Sequence, residues 1–393
     1  MVDFRLSSEQ KMLVETVRKF VYQELLPLED GIEETGGLAP ELARQIFEKS
    51  RDLGFYATNI PEEYGGGGLS AVETMLVEEQ FGHAKDILIR RAFGNVYESL
   101  LAGTQEQKQR WLVPATAGER TCSIAITEPG AGSDAAGIST HAERDGDDWI
   151  LNGYKYFVSD GVYSDFFLVS AVTSPQNRPR HISMFIVDKD QPGVTVGADT
   201  TMMGLTGSTH VELFFDNVRL APDTLLGGEG QGLRLALTTL GRVRLAQVGA
   251  RAIGKACRLL TLANDYAQQR EQFGQPIGNF QMIQAMLADS AIEINRSRLL
   301  LWRAAAAIDD GDETGWRNLI SMVKVDAAET LGRVADRTVQ VFGGIGYTHG
   351  FVVERLYRDA RIYRIFDGTS EIHRTVVAGG LRRTGAPVYD IGA

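Results

Sequence analysis

Apolar positions along residues 1 to 118 recur at the spacing of amphipathic helices. Ser7 and Gln10 stand in capping-box register ahead of an amphipathic run from Met12 to Leu25. The next run puts Leu42, Ile46, Phe47 and Leu53 on one face, and Gly54 stands where a helix ends in a left-handed residue. Pro61 to Gly68 reads as loop and closes in four glycines. Helical spacing resumes from Val72 to Phe81 and from Ile87 to Ala102. Thr104 and Gln107 repeat the capping spacing before a helix near Trp111.

The pattern changes at residue 119. Short β-rich runs cover Cys122–Thr127, Trp149–Asn152, Tyr154–Ser159, Phe166–Ala171, Ile182–Val187 and Val211–Phe215. Asp145-Gly146 and Asn152-Gly153 are hairpin-turn dipeptides. Regular short strands predict a small barrel or sandwich over residues 119 to 228. From 229 to 393 the spacing is helical again, over Leu233–Gln268, Phe280–Ile308 and Arg317–Val341. Helices of this length predict a bundle. The expected fold class is therefore α+β: a helical domain at 1–118, a central β-barrel domain at 119–228 and a long-helix bundle at 229–393.

Composition narrows the function. The chain has 51 acidic and 40 basic side chains among 393 residues, a net charge of −11. Without a basic block, a nucleic-acid surface is not expected. The first twenty residues hold no continuous apolar core, and no apolar run has the length of a membrane span, so neither a secretory signal nor a span is expected. Cys122 and Cys257 are the only cysteines, and the six histidines form no HExxH. That pattern predicts a reducing, cytoplasmic location, no disulfide scaffold and no metal site.

Generic motifs fail on inspection. Gly249 to Lys255 resembles a phosphate loop, but Ala256 stands where the loop needs Ser or Thr, and the run lies inside a helical pattern. Gly130-Ala131-Gly132 continues to Ala135 without completing GxGxxG. No GxSxG occurs.

Four other segments carry the chemistry. Ala125-Ile-Thr-Glu-Pro-Gly-Ala-Gly-Ser-Asp134 ends a strand in small residues, which let backbone amides approach a phosphate or a flat ring. Asn152 to Gly161 is a strand that closes on an aromatic and a hydroxyl. Arg270 to Gln281 is a polar turn between two long helices. The last segment runs from Gln340-Val-Phe-Gly-Gly-Ile-Gly-Tyr347 to Ile365-Phe-Asp-Gly-Thr-Ser-Glu-Ile-His373.

In this order, on a helix–barrel–helix plan, these segments resemble the acyl-CoA dehydrogenase family. Similar runs at Met203–Ser208, Gly227–Gly232 and Leu240–Arg242 extend the resemblance over nearly the whole chain. The resemblance implies FAD, a coenzyme A thioester substrate, a homotetramer and electron transfer to an electron-transferring flavoprotein. It places Ile126 and Thr127 against the flavin, Ser133 near the pyrophosphate and the thioester, Phe157 on the ring face and Ser159 at N5. Arg270, Phe273, Gln340 and Gly344 are implied to reach the FAD of a neighbouring subunit. Thr369 and Glu371 are implied to close on the adenosine diphosphate portion of FAD, and Arg242 and Gly368 to contact substrate.

Two positions depart from the family pattern. The catalytic base, usually Glu, corresponds to Asp367, and the alternative position used in another branch holds Gly241. Asp367 is one methylene shorter. A shifted backbone or substrate, an unusual acyl group, or a weakened enzyme are the consequences open to it. The second departure is Lys85, Arg90 and Arg91 on the helix implied to line the acyl pocket. The reading favoured for them is solvation or salt-bridging, for instance to Asp86. Other functions on the same scaffold are an oxidase, an acyl-carrier-protein dehydrogenase or a non-catalytic flavin-binding relative.

Overall fold

The computed structural model describes residues 5–94, 96–174, 181–311 and 316–390. The helical N-terminal segment comprises α1 (Ser8–Phe20), α2 (Glu29–Thr35), α3 (Pro40–Asp52), α4 (Ala71–Phe81), α5 (Asp86–Phe93), α6 (Gln105–Gln107) and α7 (Val113–Thr116). Its capping boxes form as expected: Ser7 with Gln10, and Thr104 with Gln107. Ser70 with Glu73 adds a third at the start of α4. Phe20, Phe55 and Phe81 meet edge to face in the core of this segment.

Two details differ from the sequence pattern. Leu42 and Leu53 are exposed, and Ile46 alone of that face is fully buried. The helix expected from Ile87 to Ala102 stops at Phe93, because Gly94 takes φ 84° and continues into irregular chain before a 3-10 turn at Glu98–Ala102. A Cβ on Gly94 would lie 2.4 Å from the Tyr56 ring, so close approach and left-handed backbone both require glycine there.

The middle segment holds β1 (Cys122–Ala125), β2 (His141–Asp145), β3 (Asp148–Ser159), β4 (Phe166–Ser174), β5 (His181–Asp188), β6 (Val194–Asp199), β7 (His210–Leu220) and β8 (Leu225–Leu226). The sheet runs β6-β7-β3-β2-β4-β5-β8, with β1 added in parallel on β4. Trp149, Leu151, Phe167, Phe185 and Leu213 fill one core against it. Gly146 lies in the β2–β3 hairpin turn, as the dipeptide predicts. Asn152-Gly153 is not a turn. It lies within β3 at a bulge opposite Phe215 and Val218, where Thr140 leaves no room for a Cβ on Gly153. The sequence pattern also misses β2, which has a single buried residue, Ala142, and β6, which pairs only with β7.

The C-terminal segment holds α8 (Gly232–Val243), α9 (Arg251–Gln269), α10 (Gln281–Asp309), α11 (Trp316–Phe342), α12 (Val352–Arg361) and α13 (Ser370–Thr384). A π-helical stretch, Arg244–Ala250, joins α8 to α9. The Gly249–Lys255 run is thus helical and not a loop between strand and helix. Buried alanines on α9, α10 and α11 let these long helices pack closely. Salt bridges tie the two helical segments together: Arg251 to Glu78, which is buried, and the partly buried pairs Arg258 to Glu29 and Arg298 to Glu79. Such pairs add little net stability when made but cost several kcal/mol when halved, so they fix register.

Candidate active site

Asp367 sits in the link between α12 and α13, three residues before Ser370 opens α13. It takes φ 53°, a left-handed conformation that costs a non-glycine residue energy unless its surroundings hold it. They do. Arg244 Nε donates to the Asp367 carbonyl oxygen at 2.6 Å, and His373 Nε2 lies 3.1 Å from the same oxygen. His373 Nδ1 is 3.0 Å from the Ser321 hydroxyl of α11. A carbonyl only accepts, so Nε2 carries the proton and Nδ1 accepts from Ser321. Burial pulls the His373 pKa down to about 4, which keeps this tautomer neutral.

Gly368 follows at φ 90°. A Cβ there would lie 2.9 Å from His373 Nε2, so only glycine fits the turn. Thr369 caps α13 by accepting from the Ile372 amide at 3.2 Å, and Glu371 is exposed beside it. Burial raises the pKa of the Asp367 carboxyl above the ordinary value, against the pull of Arg244, Lys324, Arg90 and Arg251. A raised carboxylate is the property a proton-abstracting base needs.

The second wall is built by β1, β3 and the loop after β1. Lys155 is fully buried on β3. Its ammonium donates to the Ile126 carbonyl at 3.0 Å, Glu128 Oε1 at 2.8 Å and Ser170 Oγ at 3.2 Å. Glu128 in turn accepts from the Ser139 amide and hydroxyl and the Thr140 amide. The Tyr156 amide donates to the Thr127 carbonyl at 2.8 Å. The loop from Ile126 to Thr140 is thus fastened at both ends along β3. Phe157, at φ 56°, holds its ring half-exposed beside Tyr156. The hydroxyls of Thr127, Ser133 and Ser159 make no hydrogen bond among the described residues. Hydroxyls without a protein partner on the loop after β1 and at the end of β3 are available to a ring with polar edges.

Helix α5 joins the two walls. Arg90 and Arg91 both pair with Asp160, the residue after Ser159, at 3.3 and 3.2 Å. Arg91 also lies over the Tyr163 ring, 4.7 Å from its centroid. Lys85 Nζ pairs with Glu33 at 2.7 Å. All three cations are therefore salt-bridged, Lys85 buried and the two arginines partly buried, and none pairs with Asp86, whose nearest partners are the Tyr363 hydroxyl and Lys255. A cavity of about 50 Å³ is lined by Phe93, Gly94, Val96, Tyr97, Leu245 and Ala246.

Not every residue singled out from the sequence joins this site. Arg270, Phe273, Gln340 and Gly344 gather at the other end of the bundle. There Tyr266 of α9 stacks on Phe342 of α11 at 4.2 Å, and Ile277 and Val341 share a cluster. Sixteen residues of α11 separate Gln340 from Lys324 beneath Asp367, roughly 24 Å of helix. Phe273 is 94% exposed, and the Arg270 side chain has no partner among the described residues. The side chain of Arg242 lies outside the described residues. Arg244, two positions on, makes the contact to Asp367 that the sequence does not single out. Gly241 packs against Trp316 and offers no base.

Comparison with known proteins identifies the family. The models of the N-terminal, middle and C-terminal domains of acyl-CoA dehydrogenases match residues 7–119, 123–218 and 230–381. A probable acyl-CoA dehydrogenase of Mycobacterium leprae is 38% identical over 385 residues, 97% of this chain and 97% of that protein. Butyryl-CoA dehydrogenase of Megasphaera elsdenii superposes with a TM-score of 0.89 at 32% identity, covering 97% of this chain and all (100%) of that one. An acyl-CoA dehydrogenase of Bacillus anthracis solved with FAD gives 0.88 at 32% identity, over 98% of this chain and 68% of that one. The chain belongs to the acyl-CoA dehydrogenase family, FAD-dependent oxidoreductases of acyl-CoA thioesters.

Proposed function

We infer that this chain dehydrogenates an acyl-CoA thioester with FAD, and that Asp367 is the base that removes the α-proton. The observation that carries this is the clamp on Asp367: a left-handed backbone fixed by Arg244 and His373, with burial raising the carboxyl pKa. Bound FAD would supply the acceptor for the hydride that leaves the β-carbon. Thr127 and Ser159 would hold the polar edge of its ring, Phe157 its face, and Ile126 the turn beneath it. Ser133, on the glycine-rich loop, would meet the pyrophosphate and the thioester.

The chain's own residues supply the rest. The mostly apolar cavity beside Phe93, Tyr97 and Leu245 suits the acyl chain, which would exclude water there when bound. Gly368, without a Cβ, leaves its backbone open to a substrate carbonyl. Arg242 would contact the substrate from α8. The α-proton would pass from carbon to an Asp367 carboxylate oxygen, which becomes neutral, while Arg244 holds the Asp367 main chain in place.

A homotetramer, as the family resemblance implies, would give the second cluster a role. Arg270, Phe273, Gln340 and Gly344 would complete the FAD site of another copy, while Thr369 and Glu371 would close on the adenosine diphosphate portion of FAD. Electron-transferring flavoprotein is the acceptor this reading names. Domain limits near 118 and 228 suit the element boundaries. Two free cysteines suit a reducing, cytoplasmic setting.

The test is spectroscopic. An acyl-CoA added anaerobically should bleach the flavin, and a panel of linear, branched, cyclic and dicarboxylic thioesters should identify the substrate. Fast reoxidation by oxygen would mark an oxidase instead. No bleaching by any thioester would mark a non-catalytic relative.

A further inference from the structure

Lys324 lies on α11, three residues after Ser321 and on the same face of the helix. Ser321 holds His373, and His373 holds the Asp367 carbonyl, so this face of α11 backs the main chain of the base through one histidine. The lysine is 0% exposed, and its ammonium makes no hydrogen bond with any described residue. A buried cation without a partner is costly and is kept only where something offsets it. The largest attractive charge acting on it is Asp367, followed by Glu371 and Glu329. On the other side, the cations that act on Asp367 come from four elements: Arg244 on the π-helical stretch, Lys324 on α11, Arg90 on α5 and Arg251 on α9. Arg90 is committed to Asp160 and Arg251 to Glu78, and Arg244 spends its Nε on the main chain. Lys324 alone of the four has no bond elsewhere among the described residues.

We propose that Lys324 is a positioning residue for the reaction, an electrostatic counterion that keeps Asp367 ionised and ready to accept the α-proton. The proposal rests on the assignment of Asp367 as the base. Burial pulls the ammonium pKa down to about 8, so the lysine still carries its charge at neutral pH. Without it, desolvation acts on Asp367 with less opposition, the carboxyl holds its proton to higher pH, and fewer molecules start the reaction as carboxylate. His373 is neutral and cannot substitute for the charge.

The experiment is the pH profile of flavin reduction by acyl-CoA under single-turnover conditions, on FAD-loaded enzyme. Lys324→Met removes the charge at similar length. Its acid limb should move up by about one pH unit or more, with about a tenfold loss of rate below the limb and a much smaller loss above it. Lys324→Arg, which keeps the charge, should bring the limb back toward the parent. An unshifted limb in Lys324→Met, or an equal shift in Lys324→Arg, overturns the proposal. Where Lys324→Met fails to load FAD, the unmodified holoenzyme decides: its infrared difference spectrum against Asp367→Asn should show an ionised carboxylate at neutral pH, and a protonated carboxyl overturns the proposal. Failure of the base assignment reads differently, as flavin reduction that survives Asp367→Asn.

Discussion

Lys155 and Glu128 form a fully enclosed pair, 2.8 Å apart, that fastens the loop carrying Thr127 and Ser133 to the strand carrying Phe157 and Ser159. The lysine also binds the Ile126 carbonyl, and the glutamate binds the amides of Ser139 and Thr140, so one ion pair closes the loop at both ends. Removing one partner leaves the other buried and uncompensated. Lys155→Met should cost about 3 kcal/mol in stability and loosen FAD. Thermal melts with and without added FAD check this. An unchanged melting temperature would mean that the loop is held by other contacts.

The same pair sets an acid limit. Hydrogen bonds and the Lys155 charge outweigh burial and hold the Glu128 carboxyl at about 2, below its ordinary 4.5. A depressed carboxylate stabilises the folded state fully above its unfolded pKa, and that contribution fades as pH falls toward the folded value. Stability should therefore decline between about pH 4.5 and 2 through this group. In Glu128→Gln the decline over that window, followed by circular dichroism, should be shallower.

Arg270 has no partner inside the chain and stands far from Asp367. Arg270→Ala should weaken FAD retention by about 1.5–3 kcal/mol, the worth of a charge-assisted hydrogen bond, without lowering the monomer's own stability. Light scattering should report a tetramer for the parent. A monomer fully loaded with FAD would contradict the shared site.

Gly368→Ala tests the turn after the base. The added Cβ meets His373 Nε2 at 2.9 Å in a left-handed backbone, so the clamp on Asp367 must shift. A displacement of about 1 Å at a reacting group costs on the order of 10²-fold in rate. Stopped-flow flavin reduction should show a loss of that order while the flavin spectrum stays close to the parent's.

The three-part architecture was legible because hydrophobic period switches from helical to β and back. The capping boxes at Ser7 and Thr104 were legible because their chemistry is local. The break at Gly94 was not, since it depends on the Tyr56 ring, a tertiary neighbour. Asn152-Gly153 misled because the dipeptide that makes a hairpin also suits a bulge inside a long strand. Sequence motifs brought out Asp367 but not the groups that control it. Arg244, Ser321 and Lys324 come from two other helices, and nothing in their local spacing points to a carboxylate more than forty residues away. Lys155 left a fainter signal, a charged residue in register with the buried positions of an apolar strand.

The central claim is that Asp367 takes the α-proton, and Asp367→Asn tests it most directly. The amide keeps the shape and the carbonyl clamp but removes basicity. Anaerobic stopped-flow with the best acyl-CoA of the panel should show flavin reduction nearly abolished while FAD stays bound. Asp367→Glu then reports on the short side chain: faster reduction by ordinary linear acyl-CoAs marks a drifted glutamate, and slower turnover of the native substrate marks a site shaped for aspartate. Flavin reduction by Asp367→Asn at most of the parent's rate would contradict the account.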